Sequence, residues 1–238
     1  MILMEEKKYL ACESRWTFWG LILAAGMFGA YTYNLRGGVF CNAQTANFVL
    51  FAMELGRGKW IDAAYYIIPI SAYLLGAIFS EILAVHVKKF HLLRWDTILI
   101  GFEAIVVFII GCLPADVPDH VAQVALNFIC SMQFNTFRQF EGTPMATTFC
   151  TNHLRQLGSF IVKYSRHKDS DSLSRIKKHG SMVGMFVIGA TVCTMLCVKV
   201  GLKAIWIASV VLLLLFIYLS YEDLTVEKGL LNRVPKGH

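Results

Sequence analysis

Two short stretches hold most of the side chains able to do chemistry in this 238-residue chain. The first, "RGGVFCNAQTANFVLFAMELG" (36–56), gathers Asn42, Gln44, Thr45 and Asn47. The second, "EGTPMATTFCTNHLRQLGSFIVKY" (141–164), gathers Thr147, Thr148, Thr151, Asn152, His153 and Arg155. Amides and hydroxyls donate and accept, so the chemistry on offer is hydrogen bonding to a solute, to backbone or to another helix. A helix that starts inside such a stretch adds unpaired N–H groups and a partial positive charge, a setting for an anion, a carbonyl or water. Gly37 and Gly38, and later Gly142 and Pro144, are natural places for those starts.

Ionisable groups extend the set. Arg155 follows Thr151 by one helical turn, and its charge requires a partner or a wet lining. Glu103 lies in the middle of "LIGFEAIVVFII", where it needs a partner such as Arg155 or His153 and where proton coupling or gating is one role. His153 suits either a pH response or a hydrogen-bonded core position. Glu54 and Glu81 fall nearer segment ends and are expected at an interface with solvent.

Patterns for hydrolase, metalloprotease, nucleotide or dinucleotide chemistry are missing, so an enzyme is not expected and no cofactor is implied. The seven cysteines are an odd number placed mostly in apolar runs, which argues for packing over disulfides. Cys193 and Cys197 share a helix face without a third soft ligand, so no metal is expected. The net charge of +6 collects in loops and reads as a topology mark, not as a nucleic-acid surface.

These groups sit in a chain that is 56% hydrophobic and 16% charged. Apolar runs recur at 16–33, 63–85, 97–113, 121–134, 181–198 and 202–220, each near the length of about 20 residues that crosses a bilayer as a helix. Open strands cannot satisfy their backbone in lipid, and the runs do not alternate as barrel strands do. An all-α polytopic membrane protein is expected, with the bilayer as its first partner. Residues 1–15 form an N-terminal tail, 16–115 a first membrane unit, 116–221 a second, and 222–238 a C-terminal tail.

The two units follow one order: an apolar run, a polar-centred segment, then two more apolar runs. An offset of 106 residues lays Thr45 on Thr151 and Phe48 on Leu154, a match of pattern more than of identity. Two threadings are open. Eight crossings make parallel repeats. Six crossings with two re-entrant or discontinuous segments put the loops carrying Lys7, Lys8, Lys88, Lys89 and Arg94, the 163–180 loop and both termini on the cytoplasmic side. The positive-inside tendency favours this second threading, and three crossings per unit then invert the second repeat relative to the first.

The blocks "GAYTYNLRGGVFCNAQTANFVL" (29–50) and "MQFNTFRQFEGTPMATTFCTNHLRQLG" (132–158) resemble the YoaK-like family of bacterial inner-membrane proteins. The resemblance runs from about residue 16 to 220 and implies a six-span fold in the bacterial cytoplasmic membrane, with no assigned activity. Gly29 stands where many members carry Asp, so a role resting on that carboxylate is absent. Ala46 stands where Gly is usual, which makes an extreme backbone bend there less favourable.

The expectation for function is a transporter or channel-like protein for a small polar or anionic solute, whose pathway is lined by Asn42, Gln44, Thr45, Asn47, Thr147, Thr148, Thr151, Asn152, His153, Arg155 and Glu103. The alternative is a membrane protein in which the same groups pack helices or bind a partner. A second copy of the chain is an allowed partner. In the six-crossing threading, a single cysteine at Ala115 labels from the outside with an impermeant thiol reagent and one at Ser172 labels only from the cytoplasm. Labelling of both from one side would overturn that threading.

Overall fold

Side chains that are apolar around most of a helix are accommodated by other helices or by lipid, and the backbone must bond to itself. The computed structural model, which describes residues 9–87, 93–233 and 235, is accordingly helical almost throughout. Its helices are α1 (Arg15–Leu35), α2 (Gln44–Gly56), α3 (Trp60–Val87), α4 (Trp95–Cys112), α5 (Asp119–Thr136), α6 (Thr151–His167), α7 (Ser170–Val200) and α8 (Trp206–Leu224). A two-stranded antiparallel hairpin, β1 (Gln139–Phe140) and β2 (Thr143–Pro144), precedes α6.

Glycines set the closest crossings. α1 packs on α7, α3 on α5 and α4 on α8, while α2 lies against α3 and α6 against α7. A Cβ at Gly26 would fall 2.2 Å from the Phe186 carbonyl, one at Gly189 2.1 Å from that of Leu23, and one at Gly76 2.3 Å from that of Phe128. Small residues thus let α1 meet α7, and α3 meet α5, backbone to backbone.

Paired contacts give the directions. Trp19 Nε1 donates to Ser181 Oγ and Asn34 Nδ2 to Thr194 Oγ1, so α1 and α7 run parallel. Gln123 Nε2 donates to the Tyr65 hydroxyl and Asn135 Nδ2 to Ser80 Oγ, so α3 and α5 run parallel as well. Arg36, just past α1, bonds the Val117 carbonyl just before α5. The end of α1 and the starts of α3 and α5 therefore share one end of the bundle. The ends of α3 and α5 meet at the other, where Arg138 pairs with Glu81.

Between α1 and α2 the chain turns back. Gly37 and Gly38 have φ of +73° and +71°, a left-handed pair that few other residues would tolerate. They make this reversal instead of starting a helix, and Asn42 is carried to Ala25 in the middle of α1 before α2 begins at Gln44. Gly142 and Pro144 likewise do not start α6. Glu141 and Gly142, with φ of +43° and +75°, form the two-residue turn of the hairpin, a geometry that matches strand twist. The helix follows at Thr151.

The segments expected as tails are partly core. Leu10 to Glu13 are buried, and the Glu13 carbonyl accepts from Glu141 N of the hairpin at 2.9 Å. Beyond α8, Glu227 is fully buried; it accepts from Ala11 N and pairs with Arg94. Arg94 also lies 3.3 Å from Asp223, whose other oxygen accepts from Thr97 Oγ1 at 2.7 Å. Burial disfavours the Arg94 charge, but Asp96, Cys12, Glu227 and Asp223 outweigh it and hold the guanidinium pKa above its ordinary value. The topology charges Lys7, Lys8, Lys88 and Lys89 fall outside the described residues.

Among the described residues, Trp60–Leu83, Trp95–Cys112 and Ser170–Leu224 are long and apolar enough to cross a membrane, which marks a membrane protein. α1 and α5 are not among these stretches. Both are packed among other helices, so they carry small and polar residues that a lipid-facing helix would not. Gly189→Ala should lower the melting temperature in detergent by the equivalent of about 1–3 kcal/mol through overpacking. Gly184→Ala, where nothing lies within 4 Å, should leave it equal or raise it. Equal effects at both positions would refute the close-crossing account.

Candidate functional site

Where the chain turns back into the bundle it brings backbone that no helix satisfies, and the polar side chains are first seen meeting that need. In the first loop Asn42 Nδ2 donates to the Ala25 carbonyl at 3.0 Å, and Asn47 Nδ2 donates to the Phe40 carbonyl at 2.9 Å. In the second, His153 Nε2 lies 2.9 Å from the Ala146 carbonyl. Both loop-closing bonds span seven residues, and Asn47 and His153, like Phe40 and Ala146, are 106 positions apart. A carbonyl only accepts, so His153 carries its proton on Nε2 and, while neutral, its Nδ1 accepts from His179 Nδ1 at 3.0 Å.

A second row of polar groups joins the first loop to the end of the bundle. The Tyr65 hydroxyl lies 2.6 Å from Gln123 Nε2, which also donates to the Arg36 carbonyl at 2.7 Å. One turn along α5, Asn127 Nδ2 donates to the Gln123 carbonyl, and Asn127 Oδ1 accepts from Gln44 Nε2 at 2.5 Å. Gln44 Oε1 then accepts from Asn47 Nδ2 at 3.0 Å. The result is an unbroken file from Tyr65 to Asn47. At its outer end, Tyr65 lines a surface cavity of about 410 Å³ with Glu54, Lys59, Ile61, Asp62 and Tyr66.

Gln133, also on α5, serves the second loop, donating from Nε2 to the Thr147 carbonyl at 3.2 Å. Thr147 and Thr148 are fully buried, and Tyr73 of α3 reaches Thr148. Several buried polar atoms find no hydrogen-bond partner among the described residues: Asn47 Oδ1, Gln123 Oε1, Gln133 Oε1, Ser131 Oγ, Thr147 Oγ1 and both carboxyl oxygens of Glu103. Glu103 is 0% exposed and faces α5 near Cys130, whose sulfur lies 4.0 Å from that of Cys41 in the first loop.

The expected site residues therefore separate into two groups. Asn42, Gln44, Asn47, Thr147, Thr148, His153 and Glu103 belong to this polar interior. Thr45, Thr151 and Arg155 are exposed on the outer faces of α2 and α6, and Asn152 accepts from Arg155 there at 3.0 Å. The pairing of Glu103 with Arg155 or His153 does not form, because Arg155 points away from the core and His153 is occupied by His179. Glu81 is exposed as expected. Glu54 is more covered and pairs with Arg57 and Lys59.

The sequence reading missed Gln123, Asn127, Ser131 and Gln133. Gln123, Asn127 and Ser131 recur every fourth residue, which puts one polar stripe along the apolar middle of α5, and that spacing is the signal that would have found them. Arg36, buried with its side chain on Tyr31, Val117 and Asp119, was missed because it follows a helix end and looked like a turn. Among the described residues no group of three or more His, Cys, Asp or Glu is placed to hold a metal ion.

A family profile described as "Protein of unknown function (DUF1275)" matches residues 17–218. Neither the curated proteins nor the solved structures yield a match.

Asn47→Ala should cost about 1–3 kcal/mol, because it strands the half-buried Phe40 carbonyl and removes a fully buried side chain. Thr45→Ala, one of the exposed positions, should stay within about 0.5 kcal/mol. Thermal melting in one detergent measures both, and an equal loss at Thr45 would contradict the assignment of the two faces.

Proposed function

The chain belongs to this family of unknown function over the whole span from α1 to α8, and from that premise we propose that it is a transporter or channel-like protein for a small polar or anionic solute. The observation that carries the reading is the set of unpartnered polar atoms in the interior. A purely structural network would satisfy its members, since each buried, unpaired polar group costs free energy. A solute or water moving through would meet those atoms in turn.

The proposed arrangement is two inverted repeats, six full crossings and two re-entrant segments, α2 and α6 with the loops before them. Exchanging the units turns the α1–α7 contact into α5–α3 and α2–α3 into α6–α7, and returns α4–α8 to itself, all of which are observed contacts. The glycine crossings and the seven-residue loop bonds follow the same exchange. The end of α1 meets the start of α5 at Arg36 and Val117, and the start of α4 meets the end of α8 at Arg94 and Asp223 while Trp206 bonds Phe108, so α1 opposes α5 and α4 opposes α8, which favours units of opposite direction. The proposal sets the protein in a bacterial cytoplasmic membrane with both termini inside.

A specific observation favours a second reading. Asn42, Asn47, His153 and Gln133 each hold a backbone carbonyl, which is what groups that only pack helices would do. Flux into proteoliposomes across a panel of small polar metabolites and anions separates the two. Transport predicts at least one solute crossing faster than in protein-free vesicles, and a rate changed at least about tenfold by Glu103→Gln with melting unchanged. No flux for any solute, with no solute raising the melting temperature, would establish the packing reading.

A further inference from the structure

The unpartnered amide atoms of the interior have a common sign. Side-chain amides can be fitted either way round, but three here are oriented by a backbone carbonyl that can only accept. The amide nitrogen of Asn47 must face the Phe40 carbonyl, that of Gln123 the Arg36 carbonyl and that of Gln133 the Thr147 carbonyl. In each case the oxygen is left over, buried and without a donor among the described residues. Glu103 adds an unpartnered carboxyl group, which in its neutral form offers one acceptor oxygen and one O–H. The unused capacity along the first loop, α5 and the second loop is therefore mainly acceptor capacity.

Charge points the same way. The charge of the buried guanidinium at the outer end of the file, Arg36, is balanced by Asp119, and its Nε and Nη1 are engaged by the Tyr31 hydroxyl and the Val117 carbonyl, which leaves Nη2 as the one unpartnered nitrogen there among the described residues. Arg155 lies on an outer face, and His153 is held between His179 and the Ala146 carbonyl. An anion, which only accepts hydrogen bonds, would meet oxygens with lone pairs already turned inward and a carboxyl group beside them. A solute with N–H donors would find a free amide oxygen at Gln123 and at Asn47, the two ends of the amide file, and between them could take the place of the amide donors that Asn127 and Gln44 now accept from, without separating charge.

We propose that the solute class is a small, uncharged molecule rich in N–H donors, of the urea or amide type, admitted at the Tyr65 cavity and passed along the Gln123, Asn127, Gln44 and Asn47 file. This rests on the transport reading and narrows it by excluding anions.

Urea and nitrate are the probes, because both are planar and of similar size while one donates and the other only accepts. In proteoliposomes followed by stopped-flow light scattering for urea and by an anion-sensitive dye for nitrate, urea should equilibrate at least about tenfold faster than in protein-free vesicles and nitrate at the protein-free rate. Asn47→Leu should slow urea at least about fivefold. Tyr65→Phe, which keeps the ring and removes only the hydroxyl at the cavity end of the file while Gln123 Nε2 retains the Arg36 carbonyl, should slow it in the same direction with melting nearly unchanged, so a folding defect at Asn47 does not blunt the test. A nitrate rate enhancement equal to or above that of urea overturns the donor rule while leaving transport standing. Failure of both probes and of the whole solute panel overturns the donor rule together with the transport reading.

Discussion

A peptide carbonyl buried away from water must be given a donor, and two segments of this chain carry non-helical backbone into the middle of a helical bundle. Much of the interior can be understood as the answer to that demand. Asn42 anchors the first loop to the Ala25 carbonyl of α1, Asn47 and His153 close their own loops onto Phe40 and Ala146, and Gln133 reaches across from α5 to Thr147. Each uses a donor nitrogen, and each amide among them that is tied in this way has an oxygen to turn elsewhere. The acceptor-rich character of the core follows from the same constraint that holds the loops in place.

α5 carries the consequence through the molecule. It is flanked by α3, α4 and α1, so its polar stripe is shielded from the surroundings and can be as polar as the loops require. Gln123 ties the outer turn at Arg36, Asn127 ties the start of α2, and Gln133 ties the second loop. The helices outside it keep apolar faces, and a groove of about 560 Å³ between α4 and α8, lined by residues such as Phe102, Ile105, Phe108 and Phe216, presents the kind of surface that lipid covers.

The opposite end of the bundle is fastened by charge. Arg94, Asp223 and Glu227 are buried together with the N-terminal segment and Asp96. Buried ion pairs add little stability relative to apolar packing, but losing one partner leaves an uncompensated charge, so such a cluster fixes which segments must meet. Here it fixes α4, the end of α8 and residues 10–13 against the hairpin.

The sequence by itself determined the helices, because apolar length is a local property: the runs at 63–85, 97–113 and 202–220 reappear as α3, α4 and α8 with shifts of a few residues at their ends. It also determined where the unusual backbone would lie, since Asn42, Gln44 and Asn47 cannot sit in an apolar stretch without a reason. It did not determine what the glycines there would do, because a left-handed turn and a helix start are both open to Gly37 and Gly142 until the neighbouring segments are in place. Facing was decided only by tertiary structure: Thr45 and Thr151 differ from Asn47 and His153 by two residues on the same helices, and which of them turns inward depends on how α2 and α6 rest on α3 and α7. The pairing of His153 with His179, the isolation of Glu103 and the capture of Glu227 by Arg94 are contacts between distant parts of the chain, and no local pattern encodes a partner that only packing brings near.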